Sequence, residues 1–141
     1  MIELEARSYG ENSTEEEIEA IRARVYMYSD NIVYWKEVPV MSVWQVQQYQ
    51  SKMKSLTNNL KHYALLIDLT ESKPPNAEIR ASLRDVYGPF AEEGLDEAAV
   101  FTGKNFLINV AAKFVLGGVG LKKFTVHSKQ EDALKALSDY A

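Results

Sequence analysis

The sequence predicts an α/β domain built on one mixed sheet, with antiparallel strands at the N-terminal end followed by alternating helices and mainly parallel strands. Three observations carry this. Apolar residues alternate with period two before Lys36, the apolar spacing changes to threes and fours after Pro39, and from there short apolar runs alternate with helix-spaced segments to the C-terminus. With 141 residues, the chain has the length of one domain spanning 1–141, and its 46% hydrophobic and 26% charged residues suit a packed core.

The elements follow in order. Ile2, Leu4 and Ala6 alternate with Glu3, Glu5 and Arg7, which predicts a strand. The Ser13-Thr14-Glu15-Glu16-Glu17 run caps a short helix or forms an exposed turn. From Ile21 to Tyr28 the alternation resumes, and Ser29-Asp30-Asn31 turns the chain into Ile32–Lys36, giving a β-hairpin. Val46, Tyr49, Met53, Leu56 and Leu60 then lie on one face of a helix. The nearly unbroken apolar run from His62 to Leu69 suits a central strand covered on both faces.

Pro74 and Pro75 fit the first turn of the next helix, whose buried stripe is Ile79, Leu83, Val86 and Phe90 and whose exit is Gly94. A strand over residues 98–102 follows. The next helix carries Leu107, Val110, Ala111, Phe114 and Val115, as a buried or interface helix, and ends at Gly117-Gly118. Residues 123–127 make the last strand, and Ser128 caps a terminal helix with Ala133, Leu134, Leu137 and Tyr140 on its apolar side.

The formal charge of −4 argues against nucleic acid as a partner, because phosphate binding needs a concentrated basic face. Acidic residues crowd the first twenty positions while Lys104, Lys113, Lys122, Lys123, Lys129 and Lys135 lie late, an asymmetry able to orient a partner. With no cysteine, thiol nucleophiles, disulfides and thiolate metal sites are excluded. Met1-Ile2-Glu3-Leu4-Glu5 lacks the basic start and apolar run of a signal peptide, so a cytoplasmic location is expected. The apolar stretch from Phe106 to Leu121 is short for a membrane span and holds Lys113 and three glycines.

The order of elements, with Leu65-Leu66-Ile67-Asp68-Leu69-Thr70 ending a strand at a loop before a helix, resembles the STAS family of anti-sigma-factor antagonists and their SpoIIAA-like relatives. Regulatory members carry Asp-Ser-Ser-Gly at this loop and are phosphorylated on its first serine. Here the stretch reads Asp68-Leu69-Thr70-Glu71-Ser72-Lys73-Pro74-Pro75-Asn76, without that motif. The resemblance implies a non-enzymatic binding or regulatory domain.

Ligands of open α/β sheets bind beyond the carboxyl ends of the strands. Two loops there are candidates. In the first, Asp68 and Glu71 could bind a cation, or Thr70 and Ser72 accept a phosphoryl group, with Asn76 closing the loop; the plain alternative is a polar loop with capping side chains. In the second, Gly103, Lys104 and Asn105 could hold an anion or contact a partner, against Asn105 serving as a helix cap with Lys104 in solvent. His62 and His127 have neither metal-ligand spacing nor an evident catalytic partner, and no metal or cofactor is expected.

Tyr26, Tyr28, Tyr34, Trp35 and Trp44 suit a core, or a groove shared with the apolar Phe106–Val119 segment. The expected function is binding of a protein partner, or self-association, through the strand-end loops. The alternative is a carrier of a hydrophobic or lipid-like small molecule. A third reading, acid–base catalysis by Asp68 and Lys104, rests only on their expected proximity.

Overall fold

A computed structural model describes residues 1–141. Its sheet holds β1 (Val25–Ser29), β2 (Ile32–Lys36), β3 (Tyr63–Asp68), β4 (Leu95–Phe101) and β5 (Lys123–His127), in that spatial order. β1 pairs antiparallel with β2, and every other pairing is parallel. The mixed sheet is therefore the one expected. Parallel neighbours need crossovers, which α2 (Val43–Thr57), α3 (Ala77–Glu92) and α4 (Phe106–Leu116) supply. Helix α1 (Glu15–Arg22) precedes the hairpin, and α5 (Gln130–Ala136) follows β5.

Sequence chemistry accounts for the helix starts. Thr14 and Glu17 form a reciprocal capping box at α1, as Ser42 and Gln45 do at α2, so the glutamate-rich run is a helix rather than a turn. The Asn76 side chain accepts from Ile79 N–H at 2.9 Å and caps α3. Pro74 and Pro75 therefore lie ahead of the helix, not in its first turn: the asparagine satisfies the orphan N–H that a proline would have removed. At α5 the cap position falls on Lys129, not Ser128, and carries no side-chain hydrogen bond.

The expected strand at residues 2–7 does not form. Those residues carry no strand pairing, Ile2 is exposed, and Glu5 N–H donates to the Tyr9 hydroxyl at 2.8 Å instead of to a ladder. Alternation marks a strand only when one side is buried against a layer, and here just Leu4 packs against the core. The first sheet strand starts at Val25, because Ile21 and Arg22 belong to α1. β4 begins three residues before the expected 98, since Asp96 is held by His62 and Lys122 and so is tolerated in a strand.

The two faces of the sheet are covered unequally. On the inner face, α1 to α4 enclose the larger core, centred on Val33, Trp35, Leu65, Ile67 and Val100. On the outer face, α5 packs Ala133 and Leu137 over Ile32, Tyr34, Ala64, Leu66, Ala99 and Phe101. All six side chains of β3 are buried between these layers, as its apolar run predicts.

Helix α4 buries only part of the apolar set read from the sequence. Ile108, Ala112, Val115 and Leu116 are buried, whereas Phe106, Leu107, Val110 and Phe114 are 75%, 65%, 48% and 59% exposed. Only Asn109 and Lys113 in α4 are polar, so apolar spacing alone fits several faces. Packing decides, and the small Ala112 lets the helix approach its neighbours.

Candidate functional site

The loops after β2, β3 and β4 gather at the carboxyl ends of the parallel strands, and strand alternation sends their side chains to two sides of the sheet. On the outer side lies Asp68. It is buried and accepts from the Tyr34 hydroxyl at 2.7 Å, from Thr70 N–H at 2.9 Å and from the Thr70 hydroxyl at 2.6 Å. This is a satisfied network. Burial, reinforced by that hydrogen bond and the Asp68 charge, pushes the Tyr34 phenol well above its ordinary range, so it stays a donor. Glu71 reaches back over the sheet edge to Lys36 at 2.5 Å and Arg24 at 3.8 Å.

The second candidate loop is built into the fold in a similar way. Thr102 and Gly103 donate their N–H groups to the carbonyls of His127 and Ser128, and the Asn105 side chain accepts from Ile108 N–H at 3.2 Å to cap α4. Lys104 forms no ion pair with the chain and is exposed. Asn76, as shown above, caps α3.

On the inner side, a crevice opens between α3, α4 and the loops that follow β2 and β3. It measures about 400 Å³ counting its open mouth, and 10 of its 14 lining residues are hydrophobic, among them Ile67, Leu83, Val100, Ile108 and Val115. Its polar groups are few: Glu37, Ser72 and Lys73 are among them. Glu37 is only 6% exposed. One of its carboxyl oxygens accepts from Trp35 Nε1 at 3.1 Å, and no cation pairs with it. Burial drives its pKa up to about 7, and the Trp35 bond offsets only part of that rise. Ser72 belongs to the loop singled out from the sequence, and its hydroxyl oxygen is buried without a hydrogen-bond partner.

Sequence reasoning passed over Glu37, although a signal existed. Val33 and Trp35 face the inner core, and the period-two alternation continues to position 37 just beyond the strand. A glutamate in that register is a buried carboxyl by pattern.

The aromatic residues do not form a shared groove with α4. Tyr26 and Tyr28 stack on Tyr34 with ring centroids 4.9 and 6.3 Å apart, on the outer face, while α4 packs on the inner one. Trp35 is fully buried, edge-on to Tyr49, and Trp44 packs at the margin of the inner core. Arg80 and Arg84 each hold a guanidinium 5.6 Å from the Phe114 ring centroid on the exposed side of α4. At the far, amino end of the sheet, His62 contacts Asp96 at 2.9 Å with Lys122 at 3.4 Å from the same carboxylate. No three His, Asp or Glu side chains converge in a geometry able to hold a metal ion, and no helix is long and apolar enough to cross a membrane. Compared with known proteins, the chain matches no family model, no curated protein and no solved structure.

Proposed function

We propose that the chain is a non-enzymatic binding domain of STAS-like type, and that its working site is the inner crevice, which receives a small hydrophobic or lipid-like ligand. The observation that carries this reading is the crevice itself: an apolar cleft at the carboxyl ends of the strands with a buried, unpaired carboxyl among its few polar groups. Convergent polar groups in an apolar concavity are the usual makings of a ligand site. At the other strand-end loops Asp68 and Glu71 are bonded to neighbouring side chains, Asn76 and Asn105 cap helices and Lys104 stands in solvent, which favours the crevice as the binding site.

The test is direct. Native mass spectrometry of the protein as purified, followed by titration with a dansyl-labelled fatty acid, is expected to show one saturable site. Ala111→Trp, at the mouth, is expected to abolish it while leaving the circular dichroism spectrum intact. Absence of any bound molecule together with absence of saturable binding refutes the reading.

A second reading, docking of a protein partner or a second copy of the chain, draws on the four exposed apolar side chains of α4. Sedimentation equilibrium separates the two. A concentration-dependent dimer that Phe114→Ser dissolves favours docking, and a strict monomer favours the crevice.

A further inference from the structure

We infer that the crevice selects ligands with a protonated amine head, held by the Glu37 carboxylate, and an apolar tail lying between α3 and α4. This rests on the reading of the crevice as a ligand site and specifies the ligand's chemistry.

Glu37 is a carboxyl without a counter-ion. Trp35 Nε1 is the one donor to its side chain, at Oε2, and Arg24, whose guanidinium reaches the Glu37 backbone carbonyl at 3.5 Å, pairs with Glu71 and not with this carboxyl. A carboxylate withdrawn from water is strongly destabilising when it stands alone, and a cation brought beside it offsets much of that penalty. The polar side-chain atoms that the fold seals away without a partner belong to Ser29, Gln45, Tyr63 and Ser72. Glu37 Oε1 and the Tyr87 hydroxyl are not among them, although neither takes a hydrogen bond from the chain. Both therefore keep contact with solvent, and the crevice is lined by both residues.

Trp35 links the two groups. Its indole is bonded to the Glu37 carboxyl, and its ring centroid lies 5.3 Å from that of Tyr87. Burial, and after it the Glu37 charge, raises the Tyr87 phenol well above its ordinary range, so the phenol stays neutral and its oxygen can accept. An ammonium carries three donors and no acceptor, which suits a crevice whose open groups are a carboxylate and a phenol oxygen. Charge sorts the remaining heads. A carboxylate would face Glu37 across a low-dielectric gap, and a hydroxyl donates one bond but brings no charge to offset the carboxylate. Lys73 lines the same opening and repels a cation, but it is exposed and screened by water, whereas Glu37 is only 6% exposed, so the attraction is the stronger force. Leu83 of α3 and Ile108 and Val115 of α4 give the tail its apolar walls.

The experiment is calorimetric titration of the full chain with octylammonium, 1-octanol and octanoate, repeated on Glu37→Gln, at pH 8, above the value of about 7 to which burial raises Glu37. Octylammonium is expected to bind at least about tenfold tighter than either other compound, the size of one hydrogen bond to a charged group. Glu37→Gln keeps the shape of the side chain and an acceptor for Trp35 Nε1 but removes the charge, and is expected to bring octylammonium down to the level of octanol. Circular dichroism checks that the variant is folded. Equal binding of all three compounds, tighter binding of octanol or octanoate, or a preference for octylammonium that survives in Glu37→Gln overturns the head-group inference and leaves the carrier reading standing. Failure of every octyl compound to bind overturns both.

Discussion

Glu37→Gln is expected to stabilise the protein at pH 8 and to do nearly nothing at pH 4.5. In the folded chain burial raises this carboxyl from its ordinary 4.5 to about 7. The folded state thus holds its proton more tightly than the unfolded one. Between those two values the unfolded chain releases the proton first, so the wild type loses stability as pH rises through that window and levels off above it. A shift of this size is worth ~3 kcal/mol. Glutamine does not titrate and retains an oxygen to accept from Trp35 Nε1, so the variant avoids the loss. Urea unfolding of both proteins at half-unit pH intervals from 4.5 to 8 measures the difference, and shared titrations of the other carboxylates cancel between them. A gap that stays constant with pH, or a Gln variant weaker than wild type at pH 8, refutes the placement of Glu37 as an unpaired buried carboxyl.

Three further outcomes follow from the packing. Ile108→Ala is expected to cost about 2–5 kcal/mol and Leu107→Gln less than ~0.5 kcal/mol, because Ile108 is 1% exposed and Leu107 65%; equal losses in chemical denaturation would mean that α4 presents its other face to the core. Gly94→Ala should lower the melting temperature through a loss of at least ~1–3 kcal/mol, since Gly94 sits at φ 126° and an added Cβ would come 2.5 Å from the Lys61 carbonyl oxygen; an unchanged melting curve contradicts this. Tyr34→Phe removes one of the donors to buried Asp68 and is expected to cost about 1.5–3 kcal/mol at neutral pH, read by the same urea titration; a neutral result would show that water replaces the phenol.

The sheet and its helices were legible because the chain declares them through period. β3 is apolar at nearly every position and α3 carries one polar-backed stripe, so spacing determined both type and face there, whereas the stripe read for α2 ran on to Leu60, past the helix end at Thr57, and left out the buried Gln45. Where one signal had two solutions, the sequence misled. Ile2 to Arg7 alternates like a strand, but nothing covers a face of it. Helix α4 is apolar nearly all round, so spacing could not choose between the stripe at Leu107 and the one at Ile108. The site was half visible for the same reason. Ser72 was reached through its loop, whereas Glu37 looks like an ordinary surface glutamate until its register with Val33 and Trp35 is followed past the end of β2.

Because the strands lie side by side in the order in which they are joined, every ladder forms between segments that follow one another along the chain, and no pairing waits for a distant terminus. Loop closure then costs little entropy at each step. Folding is expected to be rapid for a chiefly parallel sheet, since such sheets are slowed mainly by long-range closure. The same arrangement lets β1 to β3 associate while the residues of α4 are still emerging from the ribosome, so the helix that closes the crevice joins a platform that is already in place.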